Sequence, residues 1–188
     1  PEMIRVIGWQ HSDIEYDARV LAHYEPIITS FIAVSHKIHT TLAARLPQRS
    51  ADLHHIPYGV PIPEGRTDRH SEGSTNTPPL KLLYTGRIEH HQKRIMALPL
   101  LSAELDRRGI LHRLTIVGDG PASEELDAAI VGRPSITRLP AVDQATLFAL
   151  LDDVDAFVLP SRYEGLSISM LEAMARGSRT WPSTDMRL

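Results

Sequence analysis

At 188 residues, the chain has room for one full domain, or one domain plus part of another. Its 20 Lys and Arg against 23 Asp and Glu give no electrostatic case for nucleic acid as the main partner. It has no cysteine, which excludes a disulfide framework and a thiolate zinc site and fits a cytoplasmic protein. No apolar run approaches the roughly 18 residues of a spanning helix, and the start does not read as a signal peptide. Peripheral association with the inner face of a membrane needs only a local patch and stays open.

In chain order, residues 3–9 form a strand candidate, followed by His11-Ser-Asp13 and a helix over 17–24. Phe31 to Ser35 reads as a short buried strand, and Ser35 can cap a helix from His36 to Leu46. His54 to Val60 is a strand running into a turn. Residues 61–79 collect Pro61, Pro63, Gly65, Gly73, Pro78 and Pro79 among polar residues and read as a linker. Beyond it the alternation is regular. Strands are expected at 80–85, 112–118, 136–139 and 156–159. Helices are expected at 94–108, after Pro121 near N1, from Asp143 to Leu151, and at 169–176 before Gly177. Alternating strands and helices imply an α/β, doubly wound, Rossmann-like parallel sheet with right-handed crossovers. The ends read as cut: residues 1–32 start abruptly, and Thr180 to Leu188 begin another strand and stop. A piece of a longer protein is expected.

The densest stretch is Phe157 to Gly177: a buried strand, a Pro/Ser turn, a Glu-Gly loop and a helix. The carboxyl edge of a parallel strand facing a helix N-terminus is where open α/β sheets bind ligands, and its free N–H groups suit an anion. Glu164 and Glu172 are carboxylates at that point. They cannot bind phosphate but can accept hydrogen bonds from sugar hydroxyls.

Tyr84-Thr-Gly-Arg87, Lys93, Ile116-Val-Gly-Asp-Gly-Pro121, Ser161-Arg-Tyr-Glu-Gly165 and Glu172-Ala-Met-Ala-Arg-Gly177 together resemble the C-terminal domain of a retaining GT-B glycosyltransferase of family 4. Upstream, Ile32 to Ser35 and His55 to Val60 resemble the family's last N-domain strands and crossover. The resemblance implies residues 1–59 as the end of an acceptor domain, 60–79 as linker and 80–188 as the donor-binding domain. It implies that Arg87 and Lys93 grip a donor diphosphate, Glu172 holds the ribose and Glu164 lies near the donor sugar. The backbone of Gly165, Leu166, Ser167 and Ile168 would face sugar and phosphates, and His11 would be an N-domain histidine beside the sugar. The reaction implied is transfer from a nucleotide-diphosphate sugar, UDP-sugar before GDP-mannose, to a saccharide, lipid or small-molecule acceptor. No cofactor and no metal are implied. Two departures stand out: Leu139-Pro140 where the family has a Gly near the nucleobase, and Ser178 to Pro182 in place of an apolar strand.

Plainer readings accompany each residue. Arg87 and Lys93 could be solvated charges, Glu164 a loop acid and His11 a satisfied loop histidine. Gly118 and Gly120 could serve only a turn. Ser169-x-x-Glu172 also spells a capping box. His54-His55 and His90-His91 lack a third ligand at zinc spacing. The rival functions are a nucleotide-sugar-binding domain without turnover and a GT-B sugar-nucleotide epimerase.

Overall fold

The computed structural model describes residues 4–64 and 79–182. Most of the expected linker, residues 65–78, lies outside the described residues. Over its described part the chain forms two compact units, residues 1–59 with 163–168, and residues 60–162 with 169–188.

In the first unit, strands β1 (Ile7–Gln10), β2 (Ser30–Ala33) and β3 (Leu53–His55) form a parallel sheet in the order β1-β2-β3. Helices α1 (Glu15–His23) and α2 (His36–Arg45) connect them. Phe31 and Ala33 alternate toward one face and bury there with Ala18 of α1 and Ile38 and Leu42 of α2. Ser35 caps α2 as its spacing requires, its Oγ accepting from the Ile38 N–H at 3.3 Å. β1 begins at Ile7, so the strand expected from residue 3 starts later.

The second unit is a five-stranded parallel sheet: β4 (Leu80–Thr85), β5 (His112–Val117), β6 (Ile136–Leu139), β7 (Ala156–Leu159) and β8 (Arg179–Pro182). Their order is β6-β5-β4-β7-β8. The chain therefore winds outward from β4 in one direction and from β7 in the other, and the reversal between these neighbours is a topological switch point. Both faces are covered, as parallel sheets require. Leu82 and Tyr84 meet α3 (Ala97–Arg107) and α4 (Ser123–Ile130) through Leu98, Leu101 and Leu126. Leu83 and Phe157 face the other way, toward Leu151 of α5 (Gln144–Asp152) and Ala173 of α6 (Ile168–Ala175).

Four helix starts differ from the sequence reading, the first being α1, which begins at Glu15 rather than at residue 17. α3 begins at Ala97 rather than Arg94, because Arg94 takes a left-handed backbone, φ 49°, which a helix cannot continue through. α4 begins at Ser123 with Ala122 before it, so Pro121 sits in the turn and not at N1. α6 begins at Ile168, which puts Ser169 inside the helix and removes the capping box from Glu172. Asp143 caps α5 as expected, its Oδ1 accepting from the Thr146 N–H at 2.7 Å. Among the described residues no helix is long and apolar enough to cross a membrane.

Candidate functional site

The carboxyl ends of β4 and β5 open into a cavity of about 360 Å³ lined by Thr85, Gly86, Arg87, Val117, Gly118, Asp119, Ala141, Val142, Leu147 and Ser169. Val117, Val142 and Leu147 give the lining an apolar part, and Arg87 is the cationic residue among those that line it. All of these residues belong to the second unit.

The loop after β4 is shaped by its own side chains. The Tyr84 hydroxyl donates to the Arg87 carbonyl at 2.9 Å. Glu89 accepts backbone N–H bonds from His91 at 2.8 Å, Gln92 at 2.9 Å and Lys93 at 2.5 Å. Burial acts to raise the Glu89 carboxyl, but the three N–H groups outweigh it and hold the group below its ordinary value. The carboxylate thus fixes the turn that presents Lys93.

The turn after β5 is fixed from elsewhere. Arg138 on β6 donates to the Gly118 carbonyl at 3.1 Å and to Ser123 Oγ at 2.8 Å, and its Nε lies 3.4 Å from Asp127. Asp119 Oδ2 accepts from the Ala141 N–H at 2.8 Å. Gly118 has φ 138°, and a Cβ there would stand 2.0 Å from the Gly86 carbonyl oxygen. Only glycine lets these two backbones lie against each other.

Around the cavity, Arg87 is brought to Gly118, Asp119 and Ser169. Lys93 and Glu172 do not line it. Glu172 is half-buried on α6, and burial pushes its carboxyl above the ordinary range while Arg176 partly offsets this. Glu164 is half-buried in the loop between β7 and α6, within the 163–168 segment that clusters with the first unit. In that unit Leu166 packs on the core around Phe31, and a Cβ on Gly165 would fall 1.8 Å from the His11 carbonyl oxygen. Ser167 is buried and Ile168, the first residue of α6, is exposed. His11 is exposed just after β1, and its Nδ1 hydrogen-bonds the Tyr58 hydroxyl. Among the described residues no group of three or more His, Asp or Glu is arranged to hold a metal ion.

Sequence reasoning passed over Glu89, Arg138 and Tyr58. Glu89 carried a signal, since an acid two to four residues before a run of N–H groups is a cap in the making. Arg138 and Tyr58 act across the sheet and carried none.

The chain spans between 25% and 34% of the length of the curated relatives it matches. It is 40% identical over 108 residues to a glycogen synthase of Mycobacterium tuberculosis, covering 54% of this chain and 25% of that one. It is 35% identical over 96 residues to an alpha-D-kanosaminyltransferase of Streptomyces kanamyceticus, covering 50% and 25%. In structure it superposes on a TarM variant from S. aureus in complex with fondaparinux, alpha-GlcNAc-glycerol and UDP, with a TM-score of 0.76 at 15% identity, covering 96% of this chain and 38% of that one. The fold is that of the GT-B glycosyltransferases. Residues 79–179, more than half of the chain and the whole of the cavity described above, match the model of the family described as "Glycosyl transferases group 1". The chain belongs to the group 1 glycosyl transferases.

Proposed function

We propose that the second unit is the donor-binding half of a retaining glycosyltransferase that uses a nucleotide-diphosphate sugar, UDP-linked before GDP-linked. The observation that carries this reading is the cavity at the ends of β4 and β5, lined by Arg87 together with apolar residues, inside the segment matched by the family model. UDP in the TarM complex supports the choice of nucleotide. Residues 1–59 are read as the end of an acceptor domain, and the acceptor as a saccharide, lipid or small molecule.

Transfer breaks the bond between the anomeric carbon and the diphosphate oxygen and forms a bond from that carbon to the acceptor oxygen on the same face. The acceptor proton goes to the departing phosphate oxygen. Negative charge grows on the diphosphate, and fixed donors aimed at growing charge are usually the largest catalytic contribution. Arg87 supplies a fork of hydrogen bonds, Lys93 a point charge, and the residues Gly165 to Ile168 backbone N–H groups at the start of α6. In this reading these positive groups do the work that a metal ion does elsewhere, and no cofactor is required. Glu172 accepts from ribose hydroxyls, Glu164 and His11 from or to the donor sugar.

The test is the affinity for free UDP and GDP. A charge-assisted hydrogen bond is worth roughly 1.5–3 kcal/mol, so Arg87→Ala should weaken binding by about tenfold to a hundredfold. Calorimetry on the folded variant decides, and affinity equal to the parent's overturns the assignment.

A further inference from the structure

β1, β2 and β3 run parallel, so the residues that follow β1 and β3 leave the sheet at the same edge. His11 stands immediately after β1, and Tyr58 stands three residues after β3. They are separated by 47 residues in sequence, yet the Tyr58 hydroxyl meets His11 Nδ1 in a hydrogen bond. The two rings are almost parallel, 6° apart in plane, with centroids 5.9 Å apart. Trp9 lies against the same imidazole, 5.1 Å away and inclined by 22°.

The three rings differ in how firmly they are held. Tyr58 is half-buried and packs on the apolar cluster around Phe31, Ile38 and Leu42. His11 is exposed, so its ring is placed by Tyr58 and Trp9 rather than by a surrounding core. A neutral imidazole has one donor and one acceptor nitrogen, and the partner of one nitrogen decides what the other can do. The Tyr58 hydroxyl has no other partner among the described residues. If it donates, its hydrogen is satisfied by the Nδ1 lone pair. If it accepts, its own hydrogen finds no protein acceptor.

We infer that Tyr58 is a positioning residue that fixes the tautomer of His11: the phenol donates to Nδ1, and the imidazole carries its hydrogen on Nε2. Nε2–H is then a neutral donor on the ring edge away from Tyr58. It suits a hydroxyl or ring oxygen of a sugar, which needs a donor but repays no charge. The consequence for donor recognition rests on the reading of His11 as the histidine beside the donor sugar. The tautomer itself does not.

Nitrogen-15 spectra of the 188-residue chain labelled at histidine test this directly, with His11→Asn identifying the His11 signals. Nε2–H is also the commoner form of a free histidine side chain, so the expected result is a parent ratio of Nε2–H to Nδ1–H roughly fivefold above that free ratio, the scale set by one ordinary hydrogen bond. In Tyr58→Phe the ratio should fall to that of a free histidine side chain. A parent with the hydrogen on Nδ1, or a tautomer ratio that Tyr58→Phe leaves in place, overturns the inference. Should Tyr58→Phe fail to fold, the parent ratio at His11 is set against that of a free histidine side chain, and equal ratios overturn the inference. If Arg87→Ala leaves nucleotide affinity intact while the tautomer behaves as stated, the donor-site reading falls and the role of Tyr58 stands. The opposite pair of results removes Tyr58 and keeps the donor site.

Discussion

The two loops at the mouth of the cavity are held in opposite ways. The side chains that shape the loop after β4 are its own, with Glu89 gathering the N–H groups of the next residues and Tyr84 donating to Arg87, while its backbone also bonds Val117, Asp119 and Arg162. The turn after β5 is closed from without, by Arg138 arriving from β6 and by the Gly86 backbone pressing on Gly118. Local closure costs little chain entropy and needs no neighbour. Remote closure exists only once β4, β5 and β6 are paired. One wall of the cavity therefore owes its side-chain contacts to a few consecutive residues, and the other to the assembled sheet.

The largest test of that contrast is Gly118→Ala. Its methyl would overlap the Gly86 carbonyl, and its φ is one that L residues rarely adopt. Overpacking and backbone strain each cost about 1–3 kcal/mol, so a loss of about 3 kcal/mol or more is expected in the urea midpoint. A variant as stable as the parent would mean that the two backbones separate easily.

Arg138→Met comes next. It keeps the stem and removes the donors to Gly118 and Ser123, leaving acceptors short of partners at a cost of about 2 kcal/mol. Because the turn lines the cavity, UDP affinity should fall as well. Loss of stability with unchanged affinity would show that the β5 turn is scaffold only.

Glu89→Gln should be the mildest, about 1 kcal/mol at neutral pH, since the amide oxygen still accepts some of the N–H bonds. Its signature is in pH. The folded state holds the Glu89 carboxyl below its ordinary value of 4.5, so the stabilisation is complete above that pH and is lost as pH falls through the lower, folded value. The difference in stability between parent and Glu89→Gln should therefore shrink on acidification below about 4.5. A difference that stays constant would mean that charge is not what closes the loop.

The same contrast explains what the sequence made legible. β4, β6 and β7 lie at the expected residues; for β4 and β7 this is because buried apolar runs bounded by turns signal themselves. Ser35 and Asp143 were readable as caps because a cap acts three residues away. The start of α3 was misplaced because Arg94 gives no hint of a left-handed backbone, a conformation that usually announces itself as glycine. Arg87 could be placed at a strand end from its Gly-Arg frame, whereas Arg138 and Tyr58 depend on strand order, which periodicity does not contain. The apolar wall of Val142 and Leu147 was likewise unreadable as part of a site, since it forms only when β5 and β6 are neighbours.

The far end of α6 bears on the ribose contact proposed for Glu172. Arg176, one turn beyond it, lies 3.9 Å from the centre of the Phe148 ring and pairs with Asp152 at 2.8 Å, both on α5. An eight-residue helix has little persistence alone, and this double tie lends it that of its neighbour. The backbone freedom that must be surrendered to place Glu172 is thus surrendered when the chain folds, before any ligand arrives. In the reading proposed above, what remains for association with a ribose is ordering of the Glu172 side chain and desolvation of its carboxylate, the latter already begun by burial.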